Sequence, residues 1–192
     1  MVPKRDMNSH PTEGPERTLA GLTTTGEGVR SLPSAFRGLA ITQVAFLVPD
    51  LAAGVETWSS ALGASDWLVY TYSPETVPHL TFRGEPGKFS MRLALCGAGP
   101  QLELIQPLGG PSIYHEWLEE HGFGVHHLGF HLPRLGPVAE TLAADGFSPV
   151  QAGSGYGVDG DGAFAYYDLV DALGLYLELI ETPARRRPSE SL

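Results

Sequence analysis

Two stretches of this chain read as copies of one another: Thr42-Gln-Val-Ala-Phe-Leu-Val-Pro-Asp-Leu51 and His126-His-Leu-Gly-Phe-His-Leu-Pro-Arg-Leu135. In each, apolar residues alternate along a run that a proline and a leucine close, the period-2 pattern of a strand. A helix-like segment follows both, about Leu51 to Leu62 before Gly63, and about Leu135 to Ala144 before Gly146. Glycine just past a helix tolerates the left-handed backbone that stops it. A second pair of segments matches further on. Gln101-Leu-Glu-Leu-Ile-Gln-Pro107 and Tyr176-Leu-Glu-Leu-Ile-Glu-Thr182 share Leu-Glu-Leu-Ile. Between opening and closing strands, the strand candidates are about 67–72, 80–83 and 89–95 in the first copy, and about 147–152 and 163–169 in the second. The repeat predicts an α+β fold of two tandem βαβββ modules, about 38–108 and 122–182, whose sheets together form a cleft. The joining segment carries a short helix, about Ile113 to Glu120.

Residues 1–37 and 183–192 are rich in Pro, Gly, Ser, Thr and charge without sustained periodicity, and they read as flexible tails around a domain of residues 38–182. The run Arg185 to Arg187 falls in the second tail and reads as solvated. The formal net charge is −10 over 192 residues, but its distribution says more. Seven of the twelve basic residues lie in residues 1–36 and 183–192, and residues 37–182 hold five basic against seventeen acidic ones. Nucleic acid is therefore not an expected partner, because phosphate binding needs basic surface. No apolar run approaches the ~18 residues of a membrane span, and the N-terminus lacks a signal-peptide pattern. The reading is a cytoplasmic protein. Cys96, the one cysteine, sits in an apolar run and makes no internal disulfide framework.

The repeat also sets four polar residues at equivalent positions. Gln43 and His127 lie on the opening strands, Glu103 and Glu178 on the closing ones. Each stands among apolar neighbours, and strand alternation turns each glutamate away from the leucines beside it. An inward carboxylate is costly unless it is paired or bound to a metal. Two carboxylates, an imidazole and an amide oxygen suit one divalent cation. With no thiolate, the set favours an ion with open positions, such as Co, Ni, Mn, Zn or Mg, over a closed structural zinc site. By the same alternation His126 faces opposite to His127, and His131 shares its face. Gly153-Ser-Gly-Tyr-Gly157 lacks the lysine and strand-to-helix context of a phosphate loop and reads as a mobile loop. Asp159-Gly-Asp-Gly162 lacks the ligand pattern of a calcium loop.

These residues carry a resemblance. Gln43 to Leu51, Leu102-Glu-Leu-Ile-Gln-Pro-Leu108, Gly124-Val-His-His-Leu-Gly-Phe130 and Tyr176-Leu-Glu-Leu-Ile180 resemble the vicinal-oxygen-chelate (glyoxalase, bleomycin-resistance, dioxygenase) superfamily, and within it most the methylmalonyl-CoA epimerase-like branch. The resemblance covers about Leu39 to Thr182. The chain departs from that branch at Gln43, where the epimerases usually carry histidine, and at Glu103, where they usually carry glutamine. Its Gln/Glu/His/Glu set is similar to that of some glyoxalase I enzymes. The two histidines and one glutamate of the extradiol dioxygenases are not supplied.

The resemblance implies a divalent-metal-dependent isomerase or epimerase that removes a proton next to a carbonyl through a metal-stabilised enolate, on a small-molecule substrate such as an acyl thioester. Glu178 is then the base as well as a ligand, and Glu85 stands where the epimerases carry their second acid/base. Arg83, Lys88 and Arg92, nearly all the basic residues of the domain, are the candidates for a substrate carboxylate or phosphate. One alternative is a lactoylglutathione lyase of the glyoxalase I type, with Glu103 in place of Glu85. Another is a non-catalytic binder of a drug-like or aromatic ligand, lined by residues such as Trp58, Trp67, Tyr70, Tyr72, Tyr156, Tyr166 and Tyr167. Members of this superfamily often pair modules between chains, so the resemblance also allows a homodimer.

Overall fold

In the computed structural model, which describes residues 32–191, the repeat becomes one curled mixed sheet of eleven strands with few helices. The first module comprises β1 (Gln43–Leu47), α1 (Leu51–Leu62), β2 (Leu68–Tyr72), β5 (Ser90–Cys96) and β6 (Gln101–Gly109). A hairpin of β3 (His79–Phe82) and β4 (Glu85–Pro86) interrupts it. After α2 (Ile113–His121), the second module runs through β7 (Gly124–His131), α3 (Gly136–Ala144), β8 (Gln151–Tyr156), β9 (Gly162–Asp168), α4 (Val170–Leu173) and β10 (Tyr176–Glu181). A last short strand, β11 (Glu190–Ser191), follows. The sheet order is β11-β2-β5-β6-β1-β7-β10-β9-β8-β3-β4. Among the described residues no helix is long and apolar enough to cross a membrane.

The two modules repeat down to the register. β1 runs parallel to β6 with Gln43 opposite Gln101 and Ala45 opposite Glu103. β7 runs parallel to β10 with His127 opposite Tyr176 and Gly129 opposite Glu178. Local sequence accounts for both crossovers. Asp50 caps α1 by accepting the Ala53 N–H at 2.8 Å, and Gly63 ends it at φ 69°. Pro137 lies in the first turn of α3, where its missing N–H costs nothing. Each helix covers one apolar core on the outer face, with Val55, Trp67 and Leu104 under α1 and Leu135, Leu142 and Leu179 under α3. The inner face is packed by a third cluster that includes Leu47, Tyr72, Leu93, Ile105 and Phe164.

Several elements differ from the sequence expectation. The second-module strand near 147–152 lies later, at Gln151–Tyr156, so residues 153–156 of the glycine-rich stretch lie in a strand paired with β9 and β3 rather than in a loop. Gly153 is required there, since an added Cβ would meet the Phe164 ring at 2.5 Å. The hairpin of β3 and β4 leaves its own module and joins the far edge through β3–β8 pairing. The chain passes from Tyr72 at one side of the sheet to His79 at the other, a span of at most roughly 25 Å, so the sheet must curl. Of the residues expected as an N-terminal tail, 1–31 lie outside the described residues. Phe36 packs its ring 5.3 Å from Phe130.

The C-terminal segment expected as a tail also lies along the fold. Val158 N–H donates to Arg185 O at 3.0 Å, and Ser189 N–H donates to Val69 O at 2.7 Å. Glu190 pairs with Arg92 at 2.8 Å. The segment therefore bridges the β8–β9 turn and β2. Its composition is that of a coil, and only the curl brings those two anchoring edges within its reach.

Candidate metal centre

The four strands at the middle of the sheet, β6, β1, β7 and β10, each contribute one polar side chain to the inner face: Glu103, Gln43, His127 and Glu178. All four are buried. His127 Nε2 lies 3.0 Å from Glu178 Oε2, 3.2 Å from Glu103 Oε2 and 3.3 Å from Gln43 Oε1. The Gln43 amide nitrogen donates to Gln101 Oε1 at 3.0 Å, which turns the amide oxygen toward the group.

Gly129, opposite Gln43 in the ladder, keeps that space open. A Cβ there would lie 2.6 Å from Gln43 Oε1 and 2.8 Å from Ile180 Cδ1. Gly129→Ala should therefore overpack the site at about 1–3 kcal/mol. The expected result is a melting temperature lower by roughly 2–10 °C, together with impaired metal uptake. A fully stable variant that takes up metal like the parent would mean that the Gln43 amide is free to move aside.

His126 departs from simple alternation. Across from β7, Ala45 pairs with His127 and Phe46 with Val125, so His126 is an extra, bulged residue. A bulge re-aims side chains. His126 accordingly points to the same interior as His127, with the two Nδ1 atoms 3.0 Å apart. Burial, helped by His127, holds His126 well below the usual imidazole range, and the two rings share a hydrogen bond. That bond orients the His127 ring with Nε2 toward the carboxylates, the usual task of an outer partner to a ligating histidine. The Tyr166 ring packs edge-on to His127 at 5.0 Å, and Tyr114 donates to the Tyr166 hydroxyl at 3.0 Å.

The electrostatics are those of a closely coupled group. Burial opposes the His127 charge, but Glu178 and Glu103 together outweigh it and raise the imidazole to about 9. Burial pushes the Glu103 carboxyl up, against the pull of His127. Glu103 Oε2 is close to His127 yet has no aligned hydrogen bond. A buried carboxylate oxygen left this way, one imidazole nitrogen and two further inward oxygens fit a divalent cation. The ligand atoms of Glu103, His127 and Glu178 all lie within 4.8 Å of one another.

The remaining candidates do not converge here. Glu85 is exposed on β4, and Lys88 is exposed after it. Arg83 forms a two-pronged ion pair with Glu116 of α2, and Arg92 pairs with Glu190. None of these four lines the small cavity of about 20 Å³ beside Gln43, Glu103 and Glu178. Tyr72, Tyr156, Tyr166 and Arg186 do. By sequence Arg186 falls in a solvated tail, and the fold sets it against this cavity instead. The only signal for it in the sequence is its place in a basic run just past the closing strand.

The family model for the Glyoxalase/Bleomycin resistance protein/Dioxygenase superfamily matches residues 42–167. The chain belongs to this superfamily. Its fold is the vicinal-oxygen-chelate fold. Among solved structures, methylmalonyl-CoA epimerase from Mycobacterium tuberculosis aligns at 21% identity and a TM-score of 0.54, over 75% of this chain and 91% of that one. A variant of Streptomyces coelicolor methylmalonyl-CoA epimerase in complex with 2-nitronate-propionyl-CoA aligns at 21% identity and a TM-score of 0.58, over 76% and 99%. A hypothetical protein from Bacillus halodurans aligns at 14% identity and a TM-score of 0.57, over 79% and 99%. Comparison with curated proteins gives no match. At these identities the superfamily's fold is shared, and what each relative binds belongs to that relative.

Proposed function

We propose that this protein is a divalent-metal-dependent isomerase or epimerase that moves a proton on the carbon next to a carbonyl. The observation that carries the reading is the placement of two buried carboxylates, Glu103 and Glu178, around one imidazole nitrogen with an amide oxygen turned inward. Gln43, Glu103, His127 and Glu178 would hold the cation. When bound, it would act as a Lewis acid on the substrate carbonyl and lower the cost of the negative charge that develops there.

The chain's own residues do the rest. Glu178 takes the proton from the carbon. Glu103, from the other module and on the far side of β1 and β7, supplies the second acid/base. That division suits the structure better than one using Glu85, which is exposed on a hairpin beyond β8. It also keeps the glyoxalase I type of chemistry as the second reading, because the same two glutamates would serve it. Tyr156, Tyr166 and Phe164 line the cavity beside the two glutamates, where their rings would limit water. A solved epimerase of this fold is in complex with methylmalonyl-CoA, which supports an acyl thioester as the substrate type.

The test is solvent-deuterium exchange, followed by NMR, on a panel of acyl thioesters and hemithioacetals with metal-loaded protein. Exchange at the carbon next to the carbonyl, lost on chelation, is the expected result. Metal-loaded protein that exchanges nothing across the panel would leave the small-molecule binder as the better account.

A further inference from the structure

We infer that Arg186 is the specificity-determining residue of this site and binds a carboxylate carried by the substrate. The inference rests on the proposed reading of the centre and names its substrate class. Arg186 lines the small cavity beside Glu103 and Glu178, and also a larger chamber of about 440 Å³ bounded by Tyr70, Tyr72, Thr76 and Tyr156. A chamber of that size suits a small molecule.

Among the described residues, Arg83, Arg92, Arg134 and Arg185 each pair with a carboxylate. Arg186 pairs with none, although it is half-buried and its Nε is shut off from water without a partner. A guanidinium removed from water this far needs an anion or a compensating surface. The rings of Tyr70 and Tyr156, 5.4 and 5.7 Å from its central carbon, offset part of that cost but leave Nε–H without an acceptor.

The position is built. Ala184 N–H donates to Asp161 Oδ2 at 3.0 Å, Arg185 pairs with Asp159, and Ser189 N–H holds Val69 O. Gly157 gives the room for this, because a Cβ there would meet Pro183 at 2.5 Å. Arg186 is thus held between two pinned ends of a strap over the cleft, and little ordering remains to be done when an anion arrives. Arg83 and Arg92, the alternatives expected from sequence, are already paired and line neither cavity.

The test uses two probes of similar shape, malonyl-N-acetylcysteamine, which ends in a carboxylate, and acetoacetyl-N-acetylcysteamine, which ends in a methyl ketone. Calorimetry on metal-loaded protein should find the acid bound at least tenfold more tightly than the ketone. Arg186→Gln should lower affinity for the acid at least tenfold and leave the ketone within twofold. Arg134→Gln, a surface arginine that lines neither cavity, should change neither. Arg186→Lys, which retains the charge, should keep a preference for the acid. Equal loss of both probes in Arg186→Gln, or no preference for the acid in the parent, would overturn the assignment. Metal content of each variant separates the two claims. A parent that holds metal and catalyses exchange without preferring acids overturns only the role of Arg186. A parent that binds the acid through Arg186 but holds no metal overturns only the proposed chemistry.

Discussion

His127→Ala is expected to abolish the divalent-cation binding proposed for the parent chain, which should hold about one ion per chain by elemental mass spectrometry after purification without a metal-affinity tag. His127 supplies the one nitrogen toward which Glu103, Glu178 and Gln43 all turn, so its removal takes away a ligand and the centre of the arrangement. Loss of an outer-shell partner alone costs roughly 10–100-fold in metal affinity, and loss of the ligand itself should exceed that. Thermal unfolding gives a second readout. At metal concentrations of about 100 times Kd, binding should stabilise the parent by about 2.7 kcal/mol, or roughly 5–10 °C in a domain of this size. His127→Ala should show no such rise.

The pH dependence follows from the same group. His127 holds its proton up to about 9, and a metal needs the neutral ring. The proton therefore competes throughout the neutral range. Loading at pH 7 should release about one proton, and affinity should climb about tenfold per pH unit up to about 9. Full metal content in the His127→Ala protein, or uptake that ignores pH, would mean that the cation sits elsewhere.

Glu178→Gln is expected to lower the exchange rate by roughly 10²–10⁴-fold on any substrate of the panel, the usual contribution of a positioned general base. The amide keeps the shape and an oxygen that can face the metal, so with saturating metal the effect should fall on kcat rather than on fold. An unchanged far-ultraviolet circular dichroism spectrum would check that. Glu85→Gln makes the contrast, and its rate should stay within twofold because the side chain is exposed and lines no cavity of the site. Full activity in Glu178→Gln would remove the assigned base. A large loss in Glu85→Gln would return that role to the hairpin.

The doubled sequence was sufficient for the architecture and for the four central residues. Two copies of one hydrophobic pattern give two copies of one backbone register, so equivalent letters such as Gln43 and His127, or Glu103 and Glu178, fall at equivalent points of their two modules. Strand alternation then sends all four to one face. Caps and stops at Asp50 and Gly63 are likewise local, and α1 ends where the sequence says.

What the sequence did not reveal depends on contacts between distant segments. A one-residue bulge turned His126 into the interior, because the count of residues opposing β1 is a property of the pair and not of either strand. Arg83, Glu85 and Lys88 fall within the first module's sequence, but the β3–β4 hairpin leaves it for the edge of the second, while Arg92 stays on β5 and pairs with Glu190. Arg186 looked like part of a solvated tail, since no periodicity marks its segment. Curling of the sheet brought β2 and the β8–β9 turn near enough for that segment to bridge them, and so placed the Arg186 guanidinium in the lining of the cavity beside the two glutamates. Local pattern determines which face a side chain takes. Only the closed sheet determines which distant segment meets it there.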